Sequence, residues 1–438
     1  MNEIDKVVRF TTNFVRQSWL DIFQQKGYFL LESVSLIPQN DLSLLWINSG
    51  VATLKKYFNN PNLAPSRNLV NCQRVIRTDD LTNINAQSYH QTLFEMLGDF
   101  SIGSNFKEEV IPIIWEWFIS SKWLKLDPQR LFITVWENDK VSCKVWKKQG
   151  VKDNHILFGT KNTNFWDMGD GPCGSNTEIY YDFQLDSKFP TNIEELDNKR
   201  FVEICNIVFP EFYHKGNDYL PLAEKCVDTG AGLERIAMIL QGKKNSFEID
   251  LWEPVVQLIH SYNREKDFEK NKGNYYIIAD HLRTTIFALA DGALFEPKGR
   301  GYILKKLVKK VVLLFYSLNL DNEQLQKVSE KLIEVNSSYY KHLWEKKEVI
   351  ISELKKEIDK VMKFINKSTK ELDSCYSPKV KAEDLFFWYD TRGIPLELIR
   401  FCLEKNNHDF PEKDFNNLLL KQKERSLEDR KKKNLSVF

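Results

Sequence analysis

Polar and apolar positions alternate on two different rhythms along this chain. In residues 13–26, "NFVRQSWLDIFQQK", apolar side chains return at Val15, Trp19, Ile22 and Phe23 and stop before Gly27, which predicts an amphipathic helix with a glycine end. From there to about residue 235 the runs shorten. Segments 69–76, 92–100, 131–136, 177–183, 201–209 and 225–228 read as strands, and "YFLLESVSLIP", closed by Pro38, is β-rich as well. Too few helical stretches separate them for a series of parallel βαβ units, so an antiparallel sheet flanked by helices is expected. Beyond about residue 246 the period changes. Segments 250–262, 276–290, 302–317, 323–345 and 347–367 carry long helical patterns with almost no Pro or Gly, and "KERSLEDRKKKN" reads as a charged tail that frays. The predicted fold class is α+β, with a mixed domain over 1–245 and an all-helical one over 246–438.

Composition narrows the options without choosing among them. A chain of 438 residues exceeds one comfortable core, and 42% hydrophobic residues suffice for two. The formal net charge of +1 argues against a uniformly basic nucleic-acid coat, although charge can still be segregated. No apolar run approaches the roughly 18 residues that span a bilayer. Met1 to Arg16, with Glu3 and Asp5, resembles neither a secretory signal nor a transit peptide. A cytoplasmic protein with no membrane partner is expected. The cysteines at 72, 143, 173, 205, 226, 375 and 402 show neither close pairing nor a histidine pattern, which predicts no disulfide and no structural zinc.

Five stretches could carry chemistry. "CVDTGAGLERIAMIL", 226–240, joins the end of a buried strand at Val227 to a helix from Leu233. Its glycines allow a ligand close to the backbone, the helix start attracts anions, and Asp228 could hold an ammonium. Arg235 in the first turn opposes the helix dipole unless something negative binds nearby. A tight turn with an Asp cap and an Arg–Glu surface pair is the plainer reading. In "CQRVIRTDDLTNINAQSYHQTLFEMLGDFSIG", 72–103, Arg74 and Arg77 leave a strand near a turn, as a phosphate clamp or as solvated surface arginines. In "NFWDMGDGPCGSNTEIYYD", 164–182, two acids, three glycines and a proline within 164–174 imply a shaped loop, with Trp166 as pocket wall or core filler. In "FVEICNIVF", 201–209, Glu203, Cys205 and Asn206 include residues facing a possible cleft, as ligand contacts or structural partners. Finally, in "GRGYILKKLVKKVVLLFY" Leu304, Leu307, Val308, Val311 and Phe315 form an apolar stripe, and Lys305, Lys306, Lys309 and Lys310 form a basic face that suits a phosphate backbone or plain solvent.

Taken in order, "CQRVIR", "TLFEMLGDFSIG", "FWDMGDGPCG", "EICNIVF", "VDTGAGLERIAMILQG", "IIADHLRTTIFALADG", "RGYILKKLVKK" and "YDTRGIPLELI" resemble the N-terminal part of the alanyl-tRNA synthetases, from about residue 13 to 425. Eight blocks in one order are far more specific than one glycine-rich turn. The resemblance implies a class II synthetase-like antiparallel sheet, followed by a helical domain that reads the acceptor stem of tRNA(Ala). It implies that Arg77 contacts the α-phosphate of ATP, that Arg235 neutralises phosphate charge and that Gly232 lies against the nucleotide. Asp228 would hold the ammonium of L-alanine, and Trp166 would flank the alanine and adenylate pocket. Ile204 and Cys205 would line ATP with their backbone, and Asn206 would reach nucleotide and amino acid. ATP would bring Mg2+. Arg300, Lys305, Lys306, Lys309, Lys310 and Asp390 would contact tRNA.

This chain departs from the family pattern in places. The Gly-Gly-Lys-His stretch that usually follows the loop arginine is replaced by "TDDLTN" in a shorter loop, and Gln91 stands where a second histidine commonly reaches ATP. "FEPKG" lacks the asparagine that reads the G–U wobble pair, whereas Asp390 matches the family's other wobble-reading acid. No two histidines are spaced as in the family's zinc-bound editing site. No editing in cis and a monomeric state are expected. Two alternatives stand beside this reading: a nucleic-acid-binding relative that no longer adenylates, and an enzyme that loads an amino acid onto a carrier other than RNA.

Overall fold

The computed structural model describes residues 10–435, apart from 40, 42, 83, 86–88, 185–187, 197–199, 264–266 and 376–379. Outside it lie most of the segment read for a leader, Asn83 of the loop after Arg77, and the last three residues of the chain. A ten-stranded sheet forms its centre. The strands are β1 (Phe29–Leu30), β2 (Asn68–Ile76), β3 (Leu93–Ile102), β4 (Leu131–Trp136), β5 (Ile156–Gly159), β6 (Phe165–Trp166), β7 (Gly171–Asp182), β8 (Phe201–Lys215), β9 (Asp218–Pro221) and β10 (Cys226–Gly232). They run in the order β1-β2-β3-β10-β8-β7-β4-β5, with β6 paired to β7 and β9 to β8. From β2 to β4 every pairing is antiparallel, as expected. Both outer pairings, β1 with β2 and β4 with β5, are parallel, so the sheet as a whole is mixed. A parallel neighbour requires a crossover, and the helix Lys140–Lys148 supplies it between β4 and β5.

Sequence periodicity places the six expected strands and misjudges some ends. The supposed shaped loop at 164–174 is largely strand: Phe165–Trp166 forms β6 and Gly171 opens β7. Likewise β10 continues through both glycines and passes directly into the helix Leu233–Leu240, leaving no turn between them. Helices Lys107–Ile119 and Lys140–Lys148 were not anticipated; the first is apolar nearly all round and carries Pro112, which hides its period. Helix Thr12–Gln25 lies where expected, capped by Thr11, and Gly27 past its end has φ +86°. The long pattern at 323–345 divides into Asn322–Ser337 and Lys341–Glu345. The helix Glu412–Leu435 runs through the charged tail.

Each face of the sheet has a different task. On the back face Val70, Cys72, Leu97, Ile207, Val227 and Ala231 join one continuous buried cluster with the helix Thr12–Gln25, the helix Leu233–Leu240 and the later helices. Among the described residues the front face is covered in patches, one of them formed by Ile47, Val75 and Met96. Leu54, Leu69, Phe100, Ile102 and Cys226 close one end, and Phe132, Leu157, Leu196 and Phe201 the other. Between them Asp228 and Gly230 of β10, Asn206 of β8 and Glu178 of β7 remain partly exposed.

Buried charges fasten the helices to the sheet's back face. Arg283, on the helix Phe268–Ala290, donates to Glu95 of β3 at 3.0 Å, to Glu234 at 3.1 Å, to the Leu93 carbonyl at 3.2 Å and to Asn336 at 3.0 Å. Arg16 holds Glu95 at 2.7 and 2.9 Å, and the Tyr340 hydroxyl donates to it at 2.6 Å. Burial pushes the Glu95 carboxyl up, but the two arginines outweigh it and hold it below the ordinary range. Burial raises Glu234 against a single arginine.

Candidate active site

Strand alternation decides which residues reach the open face. On β10, Asp228, Gly230 and Gly232 face forward, while Val227, Thr229 and Ala231 are buried behind. Pairing sets Asn206 opposite Gly230 and Val208 opposite Asp228. On β7, Glu178 stands opposite Asn206 and Asn176 opposite Val208.

A bulge corrects the expectation for β8. Ile179 pairs with Cys205 but Tyr180 pairs with Glu203, so Ile204 is an extra residue. Ile204 and Cys205 consequently both point into the back core, each 1% exposed, and Glu203 and Asn206 share the front. Cys205 contributes no side chain to the cleft. A simple period of two, carried from Ile207 across the bulge, puts Glu203 and Ile204 on the wrong faces.

The glycines leave room for backbone approach. A Cβ at Gly230 would lie 3.1 Å from the Met96 sulfur, and one at Gly232 would lie 3.4 Å from the Arg235 side chain. Arg235 donates to the Glu203 carbonyl at 2.8 Å, lies 3.5 Å from its carboxylate and covers the Tyr89 ring at 5.0 Å. Arg77 is exposed just beyond β2, over the Phe94 ring at 5.3 Å, and donates to the Asn48 carbonyl at 3.2 Å. The two arginines thus flank the start of β3, and Asp228 lies further along the same face. Arg74 does not join them. It is buried on the back face, 3.2 Å from Asp291.

Three acids on and beside this face are pushed up to about 7. For Asp228 the cause is burial, and neither a hydrogen bond nor an ion pair to a described residue offsets it. Asp99, behind it on β3, is raised by burial and by Asp228. Glu178 is raised by burial and by Glu203, although four donors surround it. Glu178 and Asn176 are front-face residues with no role assigned from sequence, and Glu203, read there among the candidates for the cleft, shares the face with them. The polar positions 176 and 178 in "NTEIYYD" were the available signal.

Gln91 is 3% exposed and neither polar atom of its amide has a partner among the described residues. Trp166 stands opposite Gly174, 39% exposed. Three strand spacings separate it from β10, roughly 14 Å.

The basic group on the helix Gly299–Ser317 is not one free row. Lys310 pairs with Glu397 at 3.0 Å, and Lys309 sits over the Phe364 ring, its ammonium pushed down by burial. Lys306 is exposed beside Tyr302, Lys305 is half-buried, and Arg300 lies 6.0 Å above Trp46. Asp390 ends the helix Ala382–Asp390 and accepts from Gln422.

The antiparallel centre of the sheet thus presents two arginines at one end and, beside glycines, an acid with no partner among the described residues, an arrangement with the charges to hold an anion next to a small cation. The chain belongs to the family of class II (A) tRNA synthetases, whose model matches residues 14–437. It is 42% identical over 418 residues to an alanine–tRNA ligase of Malacoplasma penetrans, which covers 90% of this chain and 44% of that protein. An alanine–tRNA ligase of Mesoplasma florum is 39% identical over 445 residues, covering 97% and 50%. The chain spans about half the length of the curated relatives it matches. Among solved structures, an apo histidyl-tRNA synthetase of S. aureus aligns with 58% of this chain and 76% of its own at 12% identity, with a TM-score of 0.35.

Proposed function

We propose that the chain activates L-alanine with ATP and transfers the alanyl group to the 3′ end of tRNA(Ala). The observation that carries this reading is Asp228: a forward-facing carboxylate with no partner among the described residues, on the same sheet face as Arg77 and Arg235. In the first step a carboxylate oxygen of alanine attacks the α-phosphorus of ATP. The bond to the β-phosphate oxygen breaks and pyrophosphate leaves. No general base is needed, since the attacking carboxylate is already ionised near neutral pH. What the protein supplies is alignment and charge neutralisation. Asp228 fixes the ammonium with help from Asn206. Arg77 meets the α-phosphate, and Arg235 meets the remaining phosphate charge together with the Mg2+ that ATP carries. Gly232 and the backbone of Ile204 and Cys205 line the nucleotide, Gln91 offers its unpartnered amide to ATP, and Trp166 closes the side of the pocket.

The division of labour we propose follows the change of element type: aminoacylation over 1–245 and acceptor-stem recognition over 246–438. Arg300, Lys305 and Lys306 provide the open cations for the RNA backbone. Lys309 and Lys310 extend that surface once Glu397 releases Lys310, and Asp390 faces the wobble pair after leaving Gln422.

Amino-acid-dependent ATP–pyrophosphate exchange, run separately with each standard amino acid, tests the reading. Exchange strongest with alanine is expected. Folded protein that supports no exchange with Mg2+ present would instead favour a nucleic-acid-binding relative that has lost adenylation.

A further inference from the structure

We propose that Glu178 is a positioning residue for the amino acid: it turns the Asn206 side chain so that its carbonyl oxygen, with Asp228, receives the substrate ammonium. The inference rests on the function proposed above.

Four donors converge on the Glu178 carboxylate. Asn206 donates through Nδ2 at 3.1 Å and Asn176 through Nδ2 at 3.3 Å, both to Oε1. The hydroxyls of Tyr180 and Thr134 donate to Oε2 at 2.9 and 3.3 Å. A carboxylate only accepts, so the nitrogen of Asn206 must face Glu178. Asn176 reinforces the choice by donating to Asn206 Oδ1 at 3.2 Å. That oxygen keeps a second lone pair for a ligand. Turning the amide over would set oxygen against oxygen and nitrogen against nitrogen.

Register then brings the two acceptors together. Asn206 is opposite Gly230, and Asp228 is two residues away on the same face. Diagonal neighbours of this kind lie roughly 7–8 Å apart, a span that one ammonium bridges between two short side chains. Gly230 offers no side chain to block it. Glu203, the other acid nearby, is occupied with Arg235 at 3.5 Å. Burial and Glu203 oppose charge on Glu178, and the four donors favour it, so the group sits close to balance.

The test measures KM for alanine and kcat in pyrophosphate exchange, with thermal unfolding alongside. Glu178→Met, which removes the acceptors at similar volume, raises KM for alanine at least tenfold and leaves KM for ATP within about twofold. Glu178→Gln keeps an oxygen for the two asparagines while its nitrogen turns to the hydroxyls, which can accept. Its KM stays within about threefold. In an Asn206→Ala background Glu178→Met adds nothing further, because the residue it acts through is gone. Asn176→Ala, which leaves Glu178 in place, raises KM in the same direction and serves if the Met variant does not fold. An unchanged KM in Glu178→Met or Asn176→Ala overturns the proposal. So does a Gln variant as damaged as Met, which would make charge the agent, or effects of Asn206 and Glu178 that simply add. A wild-type chain without alanine-dependent exchange overturns the function and this inference together. Wild-type exchange with unmoved variants overturns this inference alone.

Discussion

Arg283→Met isolates the contribution of the charges buried between the sheet and the helices. In the native chain Glu95 is satisfied three times over, by Arg16, Tyr340 and Arg283, and its loss of one partner is partial. Glu234 has Arg283 as its ion-pair partner and also accepts from the Glu95 backbone N–H, at 3.1 and 3.2 Å. The variant therefore strands a buried carboxylate beside another one. Breaking a buried pair from one side costs about 3–5 kcal/mol, a large share of the roughly 5–15 kcal/mol that holds a protein folded. With a urea slope of about 3 kcal/mol/M, the unfolding midpoint drops by roughly 1 M or more. Trp252, whose ring lies 5.0 Å beneath the Arg283 guanidinium, is a local fluorescence reporter. Burial already raises Glu234, so its neutral form is the one the fold tolerates best. A raised folded-state pKa means stability that is complete in acid and declines as pH rises; the variant's deficit accordingly narrows on acidification. Adding Glu234→Gln to Arg283→Met removes the stranded charge and recovers at least about 2 kcal/mol. A single variant within about 1 kcal/mol of wild type, or a double variant less stable than the single, would refute the assignment.

Asp228 sets a pH dependence of its own. With its carboxyl near 7, KM for alanine rises up to tenfold per unit as pH falls below about 7, and Asp228→Asn abolishes both tight binding and the slope; a flat wild-type profile between pH 6 and 8 would contradict this. Gly174→Ala places a Cβ 1.9 Å from the Phe209 carbonyl oxygen, where backbone must move, and destabilises by more than about 3 kcal/mol in urea unfolding. Lys306→Ala lowers the salt slope of tRNA binding by roughly 0.7–0.9, whereas Lys310→Ala, already paired with Glu397, changes it less. Filter binding across a salt series reads both, and equal slopes would remove the distinction.

The parts of this molecule that were legible in its sequence are those where period and burial agree. Val15, Trp19, Ile22 and Phe23 mark a helix because they all face one core, and strands β2, β3 and β4 emerge from equally regular runs. Irregular backbone hid the rest. The bulge at Ile204 puts two consecutive side chains into the core, so counting back by twos from Ile207 keeps Cys205 inside but sets Ile204 outside and Glu203 inside, the reverse of their places. Gly171 and Gly174 read as loop formers because glycine is permissive, yet close packing against β8 is what Gly174 serves. Glu178 escaped notice because a lone acid within a strand announces nothing until its four donors are seen. Charge pairing is likewise tertiary: no spacing in the chain tells that Glu397 reaches Lys310 or that Arg74 turns away from Arg77 toward Asp291.

The sheet's centre also has a history in time. β3 meets β10 through pairs such as Leu97 with Ala231, partners about 130 residues apart along the chain. At a ribosomal pace of roughly 5–20 residues per second, the β2–β3 hairpin waits on the order of ten seconds for its neighbour to be made. Through that interval one side of β3 stands without its backbone partners, carrying Phe94, Met96 and Phe100 on one face and Leu97 on the other. The newborn chain therefore carries an adhesive edge for as long as the strand that bears Asp228 is missing, and a chaperone that shields that edge would act on this stretch.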